Sequence, residues 1–245
     1  MTPRRQWPAL EACLGPPDLG RLLEVVEGPA GVAAFDGDGT LWDGDVGEEL
    51  LARLADDQKL IPPAGAGSFA EYSSRFQLDP ADAFAYAGRA MAGLREDFVT
   101  SEAERLFAER AGGGVFPPMR ELVAELQRRS WSLYIVSASN RWSVAPAARL
   151  LGIDLDHVIA LDVVVKDGRL STEVLQPVPT LTGKPKLLRE RAGRYADLAF
   201  GNSRLDLPLL ESSRVPVAVG PSSRTTPLLD EAERRRWISL RTELA

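Results

Sequence analysis

Hydrophobic and polar positions follow two different periods along this chain of 245 residues. Short apolar runs bounded by glycines and polar residues predict buried strands, whereas apolar residues spaced three and four apart predict amphipathic helices. The predicted strands cover residues 32–35, 132–136, 157–165, 169–173, 198–200 and 215–219. The predicted helices cover residues 9–27, 48–57, 68–77, 81–94, 101–110, 118–129 and 142–151, and a further helix follows Lys184.

Strands and helices alternate from residue 118 onward, and this order predicts a mainly parallel sheet between two layers of helices. Lys166-Asp167-Gly168 separates two of the strands and predicts a hairpin turn. Pro216 has no backbone N–H, so its strand should lie near a sheet edge or carry the proline near its start. The predicted fold class is therefore α/β.

The segment from residue 46 to residue 109 contains helical patterns and no convincing strand. Residues 61–67 are rich in proline and glycine and separate its first two helices. Asp79-Pro80 and Thr100-Ser101 resemble helix starts. Residues 112–118 then return the chain to the alternating pattern. The sequence thus predicts a helical insertion within an α/β core.

Composition and charge indicate which partners and which cellular compartment are expected for this protein. The net charge of −6 and the isoelectric point near 5.1 argue against nucleic acid as the main partner. A last helix is expected around the basic run at residues 234–236, and this run is interpreted as a solvated face. No apolar stretch is long enough to span a membrane, and the first residues lack an apolar signal core. Together with the single cysteine, Cys13, this predicts a cytoplasmic protein with no membrane partner.

The first predicted strand ends in two aspartates, Asp36 and Asp38, followed by Gly39 and Thr40. Open α/β sheets place their ligands at the carboxyl ends of strands. Two acids, a hydroxyl and glycine-exposed amides suit a phosphate together with a divalent cation. An ordinary polar turn is the alternative interpretation. The chain's one histidine, His157, is expected to be structural, which leaves acid–base chemistry to carboxylates.

The sequence Phe-Asp-Gly-Asp-Gly-Thr-Leu at residues 35–41 resembles the first motif of the haloacid dehalogenase superfamily. The resemblance implies a three-layer Rossmann-like core and a Mg²⁺ cofactor. It also implies that Asp36 is the nucleophile and Asp38 the general acid and base, and that both bind the metal, Asp38 through its backbone carbonyl. Three further motifs should follow in order: a hydroxyl after a strand, a lysine, and an acidic pair after another strand.

Ser137 and Lys184 match the second and third of these motifs. Ser137 follows the apolar run Leu-Tyr-Ile-Val and resembles the hydroxyl residue that binds phosphate. Lys184 comes directly before a helix that Pro185 should begin, which predicts that the lysine lies in the preceding loop and reaches the phosphate. Lys186 is the competing candidate and is interpreted as a solvated surface residue.

The fourth motif departs from the family pattern. Residues 201–206 read Gly-Asn-Ser-Arg-Leu-Asp, so Asn202 stands where the family usually has a metal-binding aspartate. An amide oxygen can bind a hard cation but brings no charge. The resemblance therefore implies a metal set of Asp36, Asp38, Asn202 and Asp206, in which the amide weakens the affinity for the metal.

The predicted insertion lies between the first two motifs, as in the phosphoserine phosphatase-like branch of the superfamily. The resemblance implies a core domain of residues 1–44 and 111–245 and a helical cap domain of residues 45–110. Such a cap closes over the leaving group and excludes water.

Substrate-contacting residues are harder to single out. Asp45 lies nine residues after Asp36, near where phosphoserine phosphatases place a glutamate against the substrate amine. Trp42 and Trp142 could offer aromatic faces to an amine, although packing is the favoured interpretation. Three cap arginines could meet a substrate carboxylate: Arg75, Arg89 and Arg95.

These features predict a Mg²⁺-dependent phosphatase that hydrolyses a small phosphorylated metabolite through an aspartyl-phosphate, and a metabolite bearing an amine or an amino acid is one candidate. A phosphotransferase or phosphomutase on the same site and a non-catalytic phosphometabolite-binding protein are the alternatives. A metal-free dehalogenase shares the nucleophile but does not need the rest of the pattern. A monomer or homodimer is expected.

Overall fold

The computed structural model describes residues 7–62, 64–65, 67–110 and 114–242. Its main sheet has six strands in the order β3-β2-β1-β6-β7-β8, and each neighbouring pair is parallel. A separate antiparallel hairpin consists of β4 and β5. The strands are Val32–Phe35 (β1), Ser132–Asn140 (β2), Val158–Leu161 (β3), Val163–Lys166 (β4), Arg169–Val174 (β5), Leu198–Gly201 (β6), Val215–Pro221 (β7) and Ile238–Thr242 (β8).

Helices cover both faces of this sheet, and an additional group lies between β1 and β2. The helices are Pro8–Cys13 (α1), Pro16–Glu27 (α2), Val46–Asp56 (α3), Ser68–Leu78 (α4), Pro80–Ala90 (α5), Glu96–Ala108 (α6), Pro117–Arg128 (α7), Arg141–Leu150 (α8), Gly183–Ala192 (α9), Leu207–Glu211 (α10) and Pro227–Arg235 (α11). Two short 3₁₀ segments cover Leu155–His157 and Arg204–Asp206.

The period-2 alternation of β1 sorts its side chains between two apolar layers. Ala33 and Phe35 pack in a cluster with residues of α1, α2, α7 and α8. Val32 and Ala34 face the opposite side, where they pack with residues of α9, α10 and α11. All of β1 is therefore buried, as is usual for a central parallel strand. The predicted three-layer α/β fold is confirmed.

Several predicted element boundaries were wrong. The single helix predicted at 9–27 is two helices, because Gly15-Pro16-Pro17 interrupts the first and starts the second. The helix predicted to start at Ser101 begins at Glu96, and its first turn carries the acidic pair Glu96 and Asp97.

The long strand predicted at 157–165 is also two elements. It breaks at Asp162, whose carboxylate accepts a hydrogen bond from Val163 N at 2.8 Å and pairs with Arg141 at 2.7 Å. β3 therefore stays in the main sheet, while β4 turns away into the hairpin. The predicted hairpin turn at Lys166-Asp167-Gly168 is confirmed.

The carboxyl-terminal part of the sheet differs from the prediction at β8. This strand was missed because its buried residues, Ile238, Leu240 and Thr242, alternate with half-buried ones over a short stretch behind a basic run. β8 covers the outer side of β7, so β7 is an internal strand. Pro216 is its second residue, which is the position near a strand start that the sequence allowed.

The insertion consists of α3 to α6, and no strand occurs among the residues described between 46 and 110. Parts of two segments predicted from the sequence lie outside the described residues. They are positions 63 and 66 of the proline- and glycine-rich segment 61–67, and positions 111–113 of the segment that returns the chain to the core.

The β4–β5 hairpin contacts this helical group through backbone hydrogen bonds. Gly93 N donates to Leu170 O at 2.7 Å, and Leu170 N donates to Leu94 O at 2.9 Å.

None of the helices that the structure describes combines the length and the apolar character needed to cross a bilayer.

Candidate active site

The candidate site lies where three neighbouring strands end. Asp36 directly follows β1, Asn140 ends β2, and Asn202 directly follows β6. Asp36 N continues the sheet ladder by donating to Phe200 O at 2.9 Å. Because parallel strands present their carboxyl ends at one edge, residues distant in sequence converge there.

A buried lysine joins two buried aspartates at this edge. Lys184 Nζ lies 2.6 Å from Asp36 Oδ1 and 2.6 Å from Asp206 Oδ1. Thr40 Oγ1 donates to the other Asp36 oxygen at 2.9 Å. Lys184 is 2% exposed and Asp206 is 1% exposed, so both charges depend on this pairing rather than on water.

The sequence prediction that Lys184 precedes its helix was wrong. Lys184 is the second residue of α9. A cation is unfavourable at a helix amino end, but here two carboxylates outweigh the helix dipole. The start of α9 is also tightly packed, because a Cβ at Gly183 would lie 2.1 Å from Val178 O. The glycine therefore lets the helix begin close enough for the lysine to reach Asp36.

Asp38 is held by four hydrogen-bond donors. Its Oδ1 accepts from Trp42 Nε1 and from Val46 N, both at 2.8 Å. Its Oδ2 accepts from Ser139 Oγ at 2.7 Å and from Ser137 Oγ at 3.3 Å. This arrangement fixes the Asp38 carboxylate through four neutral donors.

Two serines at the end of β2 share the space around Asp38. The sequence singled out Ser137, which is fully buried and accepts a hydrogen bond from Ser139 N at 3.1 Å. Ser139 was missed, although it lines the cavity and contacts Asp38 more closely. The signal was present, since residues i and i+2 share one face of a strand, but the strand was predicted to end at residue 136.

The fourth motif forms a compact loop around Asp206. Asp206 Oδ2 accepts hydrogen bonds from Asn202 N at 3.1 Å and from Ser203 N and Oγ, both at 3.0 Å. The Asn202 side chain covers Gly39, where a Cβ would lie 1.9 Å from the amide nitrogen. Gly39 also has a φ of 70°, so a glycine is required there both for its conformation and for the approach of Asn202.

A cavity of about 170 Å³ opens beside these groups, between the sheet edge and the insertion. Its walls are formed by Asp36, Asp38, Asp45, Glu48, Phe76, Phe84, Ala138, Ser139, Thr180, Lys184, Asn202, Ser203, Leu205 and Asp206. Thr180 is 4% exposed, and its hydroxyl has no hydrogen-bond partner within the described part of the chain. An unsatisfied buried hydroxyl is unfavourable, so Thr180 is suited to contact a polar ligand.

Residues 33–211 match the family model described as haloacid dehalogenase-like hydrolase, and this match covers more than half of the chain. The chain belongs to this family. The matched range includes all four motifs, from Asp36 to Asp206.

Two curated relatives of this haloacid dehalogenase-like hydrolase are phosphoserine phosphatases. Phosphoserine phosphatase SerB2 of Mycobacterium tuberculosis is 28% identical over 210 residues, which are 80% of this chain and 48% of the relative. The phosphoserine phosphatase of Halobacterium salinarum is 28% identical over 197 residues, 78% of this chain and 86% of the relative. The chain thus spans about half the length of the first relative and most of the second.

Solved structures share the hydrolase's fold. A protein of unknown function from Bordetella pertussis superposes with a TM-score of 0.75 at 20% identity, over 86% of this chain and 98% of the other. A substrate-bound phosphoserine phosphatase complex superposes with a TM-score of 0.58 at 18% identity, over 83% of this chain and 90% of the other. At these identities the likeness concerns the fold alone.

Charge at the hydrolase's site is strongly negative. Burial, together with the charges of Asp206 and Asp38, raises the pKa of Asp36 to about 7 against the opposing effect of Lys184. Burial alone would lower the pKa of Lys184, but Asp206 and Asp36 raise it above its ordinary value. Lys184 therefore stays charged and pairs with two of the three carboxylates, Asp36 and Asp206.

This environment fits a hard divalent cation. No cluster of three or more His, Cys, Asp or Glu side chains arranged to hold a metal occurs among the described residues. The oxygens available instead are the carboxylate of Asp36, the backbone carbonyl of Asp38 and the side-chain oxygen of Asn202, all of which are ligand types that Mg²⁺ accepts. Asp206 is the further carboxylate of this set; like Asp36, it already accepts hydrogen bonds at both oxygens, from Lys184 and from its own loop.

The aromatic candidates lie away from the cavity. Trp42 is fully buried and contacts Asp38 through its indole N–H. Trp142 is 4% exposed, with its N–H on Glu96 Oε1 at 3.2 Å and the Arg141 guanidinium over its ring at 4.6 Å. Both side chains are buried and neither lines the cavity, which favours packing as the role of these two tryptophans.

The three candidate arginines are paired within the insertion. Arg75 and Arg89 both contact Asp82, at 2.6 and 3.1 Å, and Arg95 contacts Asp97 at 2.5 Å. None of the three lines the cavity. A substrate carboxylate in the cavity would therefore not meet them in this arrangement.

Asp45 does line the cavity, as the first acidic residue of the insertion. It caps α3 by accepting from Glu48 N at 2.8 Å, and its Oδ1 also lies 3.3 Å from Ser139 Oγ. Burial and the nearby charge of Asp38 raise the pKa of Asp45 well above its usual range.

His157 does not line the cavity. Its ring stacks on Tyr134, and its Nδ1 lies 3.0 Å from Leu133 O.

Proposed function

We propose that this haloacid dehalogenase-like hydrolase is a Mg²⁺-dependent phosphatase that acts on a small phosphomonoester through an aspartyl-phosphate. The observation that supports this most strongly is the pairing of two differently held carboxylates at the end of β1. Asp36 faces Lys184, whereas Asp38 is held by four neutral donors. The curated relatives named phosphoserine phosphatases support the same reaction class.

In this proposal Asp36 is the nucleophile. One carboxylate oxygen attacks phosphorus while the bond from phosphorus to the leaving oxygen breaks. Lys184 and the hydroxyl groups at the end of β2, Ser137 and Ser139, stabilise the charge that spreads over the transferring oxygens. Lys184 reaches that position because Asp206 holds it from the other side.

Asp38 would transfer the protons. Its protonated form gives a proton to the leaving alkoxide, and the resulting carboxylate then takes a proton from the water that attacks phosphorus. That second attack breaks the bond between phosphorus and Asp36, releases phosphate and restores both aspartates.

Asp36, the Asp38 carbonyl, Asn202 and Asp206 would hold Mg²⁺, and Asp206 also supports its own loop and Lys184. When bound, the ion would offset the negative charges of the phosphate and of Asp36, which otherwise oppose the attack.

We further propose that residues 45–110 act as a cap over the core formed by 1–44 and 111–245. Glu48, Phe76 and Phe84 of this segment line the cavity that Asp36 also lines. The leaving group would therefore lie against the cap, shielded from water.

Turnover of p-nitrophenyl phosphate with and without Mg²⁺ tests the proposed activity. The proposal predicts Mg²⁺-dependent release of free phosphate. Transfer of the phosphoryl group to an added alcohol or sugar in preference to water would favour a phosphotransferase. Binding of phosphorylated metabolites without any turnover would favour a binding protein.

Asp38→Asn should reduce kcat by about 100-fold or more, the usual contribution of a positioned proton donor. The loss should be larger for an alkyl phosphate than for p-nitrophenyl phosphate, because a poor leaving group depends more on protonation. Asp43→Asn, an exposed neighbour, is the matched control and should keep its activity. Equal losses on both substrates would contradict the acid role of Asp38.

Asn202→Asp should tighten Mg²⁺ binding, because it adds one anionic ligand to a neutral position. The half-saturating Mg²⁺ concentration should fall both in activity titrations and in calorimetry. Ser101→Asp, which adds the same charge at an exposed site on α6, controls for net charge. An unchanged midpoint in Asn202→Asp would place Asn202 outside the metal shell.

A further inference from the structure

The cavity has a second wall that the proposed chemistry does not use. Glu48 and the rings of Phe76 and Phe84 line it on the side of the insertion. The two rings lie edge to face with centroids 5.6 Å apart. A carboxylate beside aromatic rings is a setting that attracts organic cations.

The two acidic residues on this wall differ in their availability. Asp45 is occupied, since it caps α3 and contacts Ser139. Glu48 is half-buried and lies near the buried Tyr72 hydroxyl, whose pKa is raised by burial and by the charge of Glu48. This position leaves Glu48 with further acceptor capacity facing the cavity.

No cation is available for a carboxylate on the leaving group. Within the described part of the chain, Lys184 is the cationic side chain on the cavity lining, and both Asp36 and Asp206 hold it. A leaving group that carries a carboxylate would thus face the carboxylate of Glu48 without a cationic partner. Like charges in a partly desolvated cavity repel, so such a group is disfavoured.

The unpartnered hydroxyl of Thr180 is an independent indication that a polar ligand enters this cavity. Thr180 lies on the loop before α9, whereas Glu48 lies on α3, so two different elements bring them to the cavity lining. Its buried oxygen becomes satisfied when a ligand with a hydrogen-bonding group fills the space between them.

We infer that the substrate is a phosphomonoester whose leaving group carries a cationic nitrogen and no carboxylate, and that Glu48 is the residue that selects the cation. This inference rests on the phosphatase function proposed above. It separates the chain from its relatives named phosphoserine phosphatases, because phosphoserine carries a carboxylate as well as an amine.

Three alkyl phosphates that differ mainly in their terminal group provide the test: 2-aminoethyl phosphate, propyl phosphate and 2-carboxyethyl phosphate. We expect kcat/KM to be about tenfold higher for the amine than for the neutral compound, the effect of one charge-assisted contact. The carboxylate compound should be the poorest of the three, and phosphoserine should fall below 2-aminoethyl phosphate.

Glu48→Gln should reduce the preference for the amine over the propyl compound to about one, since the amide keeps the shape and loses the charge. Glu49→Gln is the matched control. It makes the same change one residue along α3, where the side chain pairs with Arg110 outside the cavity, and should keep the preference.

Carboxylate-bearing substrates that equal the amine, or a preference that survives Glu48→Gln, would overturn the inference while leaving the phosphatase function intact. If no compound is hydrolysed, including p-nitrophenyl phosphate, the proposed function fails instead. Calorimetric binding of the same three compounds then decides the inference by itself: the order amine, propyl, carboxylate supports it, and any other order overturns it.

Discussion

Asp36→Asn should abolish phosphatase turnover while leaving the fold intact. The amide is nearly isosteric but a poor nucleophile, so the loss should be on the order of 10⁴-fold or more, as expected when a covalent nucleophile is removed. Lys184 retains Asp206 as a partner, and Thr40 can still donate to the remaining oxygen. Circular dichroism and kcat are to be measured on the same preparation.

Two outcomes of this experiment are informative. A folded Asp36→Asn variant with turnover near that of the wild type would refute the assignment of the nucleophile. A slow return of activity during storage would instead indicate deamidation of the asparagine, which mass spectrometry detects as a gain of about one dalton. The variant should still bind phosphate, because Lys184 and the residues at the end of β2 remain in place.

Lys184→Met should both inactivate and destabilise the protein. The substitution leaves Asp36 and Asp206 buried without their common cation, and breaking a buried ion pair from one side lowers the free energy of unfolding by about 3–5 kcal/mol. Urea unfolding measures this loss. Lys186→Met removes an exposed lysine two residues along the same helix and should change neither stability nor activity appreciably.

The destabilisation caused by Lys184→Met should depend on pH, and the direction of that dependence can be predicted. Burial already raises the pKa of Asp36 to about 7, and the loss of Lys184 removes the charge that opposes this rise. The pKa of this carboxyl group is therefore higher in the folded state than in the unfolded state. The loss of folding free energy is complete above the folded-state pKa, and it decreases at lower pH as protonation neutralises the carboxylate. The stability deficit of Lys184→Met should therefore be smaller at pH 5 than at pH 8. A pH-independent deficit would show that the lost packing of the lysine stem, rather than charge, explains it.

The central fold was predictable because its strands have an unambiguous pattern. Val32–Phe35 is apolar at every position and ends abruptly in acids, and the structure buries the whole strand. The outer parts were less predictable. β8 alternates over only five residues behind a basic helix end, and its burial depends on pairing with β7, which local sequence does not reveal.

The residues of the candidate site could also be predicted only in part from the sequence. Motif order led to Asp36, Asp38, Lys184 and Asp206, which the fold brings to one sheet edge, although their roles remain predictions. Ser139 was missed because its contact with Asp38 depends on where β2 ends. Thr180 and Glu48 carry no motif at all, and only the tertiary fold places them on one cavity.

Trapping the covalent intermediate tests the central claim most directly. Wild-type protein is mixed with substrate and Mg²⁺, quenched within the first turnover and treated with borohydride, which reduces an acyl phosphate to an alcohol. Peptide mass spectrometry should then find homoserine at position 36 and at no other aspartate, and the Asp36→Asn variant should show none. Steady turnover with no modified residue, or modification at a different carboxylate, would contradict the account.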